Sequence, residues 1–93
     1  MQNLSTDEVV DFFDAILGFD WSRQFDRGSY GDEHWFSKRR AENRSARIVI
    51  LDGEVIVHEF DSTGALESSA RFGGDLRRAC ERALLILGIE AAA

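Results

Sequence analysis

The chain has little of what most chemistries need. It contains one cysteine, Cys80, and two histidines, His34 and His58. A lone thiol excludes an internal disulfide and any zinc site built on several thiolates, and it suits a reducing compartment. No apolar run approaches the ~20 residues that span a bilayer, and the first residues are acidic rather than basic, so neither a membrane span nor a targeting segment is expected. Basic residues are also scarce: 11 Lys and Arg against 17 Asp and Glu give a net charge of −6. Nucleic-acid affinity comes mainly from Lys and Arg displacing counterions, so direct binding of DNA or RNA is not expected. A cytoplasmic protein, with one domain over residues 1–93 and room for a surface rather than a deep cleft, is the expectation from this inventory.

What is present is organised around Arg47 to Phe60. Two β-branched runs, Arg-Ile-Val-Ile-Leu and Glu-Val-Ile-Val-His-Glu-Phe, flank Asp52-Gly53. That pattern predicts a hairpin closed by a type I′ turn, with positive φ at both central residues. Upstream, Ser5-Thr6-Asp7-Glu8 reads as a capping box that opens a helix ending at Gly18. On a helical wheel Val9, Val10, Phe12, Phe13, Ile16 and Leu17 share one side, and Asp7, Asp11 and Asp14 share the other. Phe19 to Glu33 has no clean period; its aromatics Phe19, Trp21, Phe25 and Tyr30 read as a loop folded over the core. His34 to Arg40 reads as an outer strand with His34, Phe36 and Lys38 on one face.

After the hairpin, Asp61 to Gly64 reads as a turn and Ala65 to Phe72 as a strand. Asp75 then caps a last helix that Gly88 ends. Leu76, Ala79, Cys80, Ala83, Leu84 and Leu87 form its apolar stripe, with Leu85 as the misfit among polar neighbours. The expected fold is α+β: helix, three- or four-stranded antiparallel meander, helix, with both helices on one sheet face. Alternation places Val49, Leu51, Ile56, Phe60, Leu66, Ala70 and Phe72 on one face as the expected core. Ile48, Ile50, Val55 and Val57 fall on the other, lidded by the aromatic loop or left open as a contact patch.

The residues that could catalyse do not form a pattern. His58 falls in line with Ile56 and Phe60, and Cys80 lies on an apolar stripe; neither belongs to a nucleophile motif. Gly28-Ser-Tyr-Gly31 and Gly73-Gly74 match no phosphate loop. Asp7, Asp11 and Asp14 on a straight helix cannot wrap a hard cation. No enzyme activity, cofactor or metal is expected.

The charges do form a pattern. Residues 1–33 carry −6, residues 34–47 carry +4, residues 48–70 carry −5 and residues 71–93 carry +1. The cluster Lys38, Arg39, Arg40, Arg44 and Arg47 reads as a guard against stray strand pairing. In size, in its single α/β domain and in the acidic surface implied by Asp7, Asp11, Asp14, Asp52, Glu54, Glu59, Asp61 and Glu67, the chain resembles small phage-encoded anti-CRISPR proteins. The likeness covers the whole chain and is closest to acidic inhibitors of type I surveillance complexes. The resemblance implies a DNA mimic whose carboxylates occupy the basic groove that receives target DNA. Asp7, Glu8, Asp11 and Asp14 would form one part of that surface, and Asp52, Glu54, Glu59 and Glu67 another. The alternative is a protein–protein adaptor or homodimer that uses the Ile48, Ile50, Val55, Val57 face or Leu85.

Overall fold

The computed structural model describes residues 3–28 and 31–89. Its first helix, α1 (Thr6–Ile16), begins as the capping box requires: the Glu8 N–H donates to Ser5 Oγ at 3.2 Å and the Ser5 N–H to Glu8 Oε1 at 3.1 Å. The helix stops one residue before Gly18, at an extended Leu17, and Gly18 does not take the left-handed conformation of a glycine cap. Arg23 takes over that task. Its Nη1 donates to the Trp21 carbonyl at 2.8 Å, its Nη2 to the Leu17 carbonyl at 3.0 Å and the Asp14 carbonyl at 3.3 Å, and its Nε to the Asp14 carboxylate. A cation at the negative end of a helix that also satisfies its last carbonyls contributes twice. Arg23→Met is therefore expected to lower unfolding free energy by about 2–3 kcal/mol, read from urea titration.

The sheet has five strands rather than three or four. Strands β1 (Ser22–Gly28), β2 (Gly31–Arg39), β3 (Ser45–Leu51), β4 (Glu54–Phe60) and β5 (Leu66–Gly73) lie in chain order, each antiparallel to the next. The extra strand is the segment expected to be a loop. Ser-Arg-Gln-Phe-Asp-Arg-Gly carries almost no intrinsic strand preference, and pairing with β2, from Ser22 opposite Ser37 to Gly28 opposite Gly31, imposes the conformation. Of the aromatics expected to fold back, only Trp21 reaches the core, at 6% exposure, while Phe19 is fully exposed. Tyr30 lies outside the described residues.

At the central hairpin Leu51 pairs with Glu54 as expected, but Gly53 alone has positive φ, at 78°. The turn is therefore not type I′. The second helix, α2 (Leu76–Leu87), starts at Asp75, whose carboxylate accepts from the Arg78 N–H, and ends at Gly88 with φ 70°. Asn3 ties the two helix starts together by accepting from the Leu76 N–H at 2.8 Å and donating to the Gly74 carbonyl.

Both helices cover one face, and it is the opposite of the face expected. Ile48, Ile50, Val55 and Val57 are the core, each wholly buried, packed with Phe36 beneath Val9 and Phe13 of α1 and Ala79, Cys80 and Ala83 of α2. Register explains half of the inversion. Ile48 pairs with Val57 and Ile50 with Val55, and Val55 and Val57 in turn face Phe72 and Ala70. Unbroken alternation puts Phe72 and Ala70 with Leu66 and Phe60, but a register shift at Glu59/Phe60 sets Glu59 opposite Ser68 and Phe60 opposite Leu66. One bulged residue thereby moves Ala70 and Phe72 to the helix side. The other half is polarity: the uncovered face holds Arg47 and His58 at its centre, and helices close over the face that has no polar group there.

Candidate functional site

The structure divides the eight predicted contact acids into two groups. Asp7, Glu8 and Asp11 lie on the first two turns of α1, and Asp52 in the β3–β4 turn joins them, its Oδ1 accepting from Thr6 Oγ1 at 3.2 Å. None of these four forms an ion pair within 4.0 Å among the described residues. Glu8 is held below the usual carboxylate range by its Ser5 bonds, with a smaller contribution from the Arg77 charge. The α1 carboxylates sit about 6 Å apart for each four-residue step.

The other four are neutralised in place. Asp14 pairs with Arg23, Glu54 with Arg71 at 3.6 Å, Glu59 with Arg40 at 3.5 Å and Glu67 with Arg44. Glu54 lies on the uncovered sheet face and Glu59 on the helix side, so they share no surface. Asp61, counted with the acids in the sequence, serves its own turn instead. Its Oδ1 accepts from the Thr63 N–H at 2.9 Å, Thr63 Oγ1 at 2.6 Å and the Ala65 N–H at 3.1 Å, which lowers its pKa. Three of the five residues of the basic cluster are absorbed by pairing, and Arg39 and Arg47 are not. Arg40 and Arg44 hold Glu59 and Glu67, and Lys38 holds Asp20 at 2.6 Å. Its signal was visible as a +4 block beside a −5 block, which hairpin topology lays against each other.

A second set of residues shares a surface without any motif in the sequence to mark it. Opposite the helices, the uncovered face carries Trp35, Arg47, Val49, Ile56, His58 and Phe60. The Arg47 guanidinium lies 4.6 Å from the Trp35 ring centre and 5.3 Å from that of Phe60. The Trp35 indole N–H donates to Glu33 at 3.0 Å, and His58 stacks on Phe60 with ring centres 6.0 Å apart. Val49 and Ile56 form the floor beneath these side chains and are almost fully buried.

Burial, then the charges of Arg47 and Arg71, push the His58 pKa below its ordinary 6.5. The folded state therefore holds His58 neutral where the unfolded chain would protonate it. Stability contributed this way is full above pH 6.5 and falls as pH drops from 6.5 towards the lowered folded value. His58→Gln is expected to flatten the acid-side decline just below pH 6.5, as seen in melting temperature against pH.

Cys80 is buried in the core and its thiol is pushed up to about 11 by burial, which makes it a packing residue and no nucleophile at neutral pH. His34 rests against Phe25, ring centres 4.7 Å apart. Among the described residues no group of three or more His, Cys, Asp or Glu is placed to hold a metal ion, and no helix is long and apolar enough to cross a membrane. The class this defines is an α+β protein with one five-stranded meander, helices on one face only, and two polar surfaces. Comparison with known proteins yields no matching family model, no matching curated protein and no matching solved structure.

Proposed function

We propose that this chain is a non-enzymatic inhibitor that binds a basic protein surface through its acidic end and so excludes DNA from it. The observation that carries the reading is the grouping of Asp7, Glu8, Asp11 and Asp52 without basic partners, in a chain that pairs Asp14, Glu54, Glu59 and Glu67 internally. Carboxylates without ion-pair partners at one end, with Arg77 the base that acts on Glu8, give a mainly acidic surface that opposite potentials steer onto Lys and Arg. The resemblance to acidic anti-CRISPR proteins points to the target-DNA groove of a type I surveillance complex as the first partner to test. Purified protein is expected to block target-DNA binding by such a complex, and its affinity is expected to fall by at least about tenfold between ~50 and ~200 mM salt. Block without salt dependence would remove the mimicry mechanism.

A second reading is an adaptor that docks through the uncovered sheet face. It is favoured by Arg47, which holds an unpaired charge at the centre of that face. The adaptor surface expected from the sequence, Ile48, Ile50, Val55 and Val57, is the core, so only the opposite face is available. Leu85, at 79% exposure, remains the apolar residue through which a homodimer would form.

A further inference from the structure

Arg47 is placed unlike any other arginine of the sheet. Arg23, Arg27, Arg40, Arg44 and Arg71 each meet a carboxylate, and Arg39 is exposed at the end of β2. Arg47 is half-buried at the middle of the central strand and makes no ion pair or hydrogen bond to any described residue; its Nε is buried without a partner. Buried polar groups are normally bonded, and burying a cation against two rings without an anion is costly when Leu or Met would cover Val49 and Ile56 as well. Three acids stand on the same face, but Glu33 accepts from Trp35, Glu54 faces Arg71, and Asp26 lies out on the edge strand β1 opposite Glu33. The carboxylate that a held guanidinium is shaped for is therefore missing from the chain itself.

We propose that the uncovered sheet face binds a protein segment that presents one Asp or Glu carboxylate to Arg47, with apolar residues on either side resting on Trp35 and Phe60. With Nε buried, the two Nη nitrogens offer the end-on edge that takes a carboxylate through two parallel bonds. The rings hold the guanidinium in orientation before the partner arrives, which lowers the entropy lost on pairing. A protein carboxylate fits better than a nucleic acid. The guanidinium already lies over the rings that bases would stack on, and Asp26, Glu33 and Glu54 on the same face repel a polyanion. The groups facing the site are Glu33 and Arg39 from β2, His58 and Glu54 from β4, Arg71 from β5 and Asp26 from β1. This inference rests on the adaptor reading and adds the chemistry of the partner.

The test is selection of a random heptapeptide display library on the intact protein and on Arg47→Met, which keeps the side-chain bulk over Val49 and Ile56. Amide NMR spectra first establish that the variant is folded. The parent is expected to enrich Asp or Glu at one fixed position between apolar residues, and synthetic peptides of that consensus to bind Arg47→Met at least about tenfold more weakly. The Gln counterpart of the peptide should lose as much on the parent. Acidic consensus peptides that bind Arg47→Met equally well would overturn the assignment. So would tighter binding of single-stranded DNA at this face. Peptides that shift Trp35 and Phe60 resonances yet carry no acid would overturn the Arg47 chemistry and leave the adaptor reading standing. A library that yields no peptide on this face would remove both.

Discussion

Val57→Asp is expected to abolish cooperative unfolding, whereas Leu66→Asp should shift stability by less than about 0.5 kcal/mol. Val57 is wholly buried on β4 beneath the helices, and Leu66 is 53% exposed on the opposite face of β5. The first change loses about 1.5–3 kcal/mol of apolar burial and strands a carboxylate that costs roughly 3–5 kcal/mol more without a partner. A chain of this length has about 5–14 kcal/mol in total, and a loss of about 4.5–8 kcal/mol exhausts the lower half of that range. Urea titration followed by circular dichroism and by tryptophan fluorescence checks both. The reverse outcome, with Leu66→Asp unfolded and Val57→Asp intact, would mean that the helices pack on the other face.

That contrast marks where the sequence was informative. Local signals read directly: the Ser5 and Glu8 box, Asp75 and Gly88 bounding α2, the Asp61 turn, and the alternation of His34, Phe36 and Lys38 all appear as expected. Each depends on residues within four or five positions of one another. Three features depended on partners far along the chain, and these were not legible. Strand β1 has no strand propensity of its own and forms because β2 offers an edge. Half of the face inversion turned on one bulge between Glu59 and Leu66, since a single extra residue puts Ala70 and Phe72 on the helix side. Arg23, in a segment expected to be a loop, closes the first helix through the Asp14 and Leu17 carbonyls.

The central face could have been sorted differently from the same residues. Counting apolar positions across the strands favoured Val49, Ile56 and Phe60, but Arg47 and His58 alternate onto that same face. Ile48, Ile50, Val55 and Val57 carry no polar residue among them. At the middle of a sheet one charged residue outweighs several apolar ones, because an unpaired buried charge costs more than a buried methylene returns. The candidate site was half legible for a related reason. Which residues are acidic is printed in the sequence, but which of them already own an arginine is decided by hairpin pairing. Asp14 illustrates it: it belongs to the α1 stripe by spacing, yet it is committed to Arg23 and to the end of its own helix.

This division makes the proposed inhibitor testable against net charge alone. Asp7→Asn, Asp11→Asn and Asp52→Asn together should weaken binding to the basic partner by about 1,000-fold or more, since three charge-assisted contacts at about 1.5 kcal/mol or more each are removed. Glu54→Gln, Glu59→Gln and Glu67→Gln together remove the same charge and should change affinity by less than about tenfold. Those three carboxylates already face Arg71, Arg40 and Arg44 and have little left to offer a partner. Both triple variants should fold. Asn at position 52 keeps an oxygen for Thr6 Oγ1, and loss of Asp7 from the first turn costs only about 0.3–1 kcal/mol. Competition with fluorescent target DNA at fixed ionic strength reads the outcome. Equal loss in the two variants would mean that net charge, and not the α1 and β3–β4 end, drives binding. No loss in either would place the contact elsewhere, and the uncovered sheet face around Arg47 would then be the surface that remains.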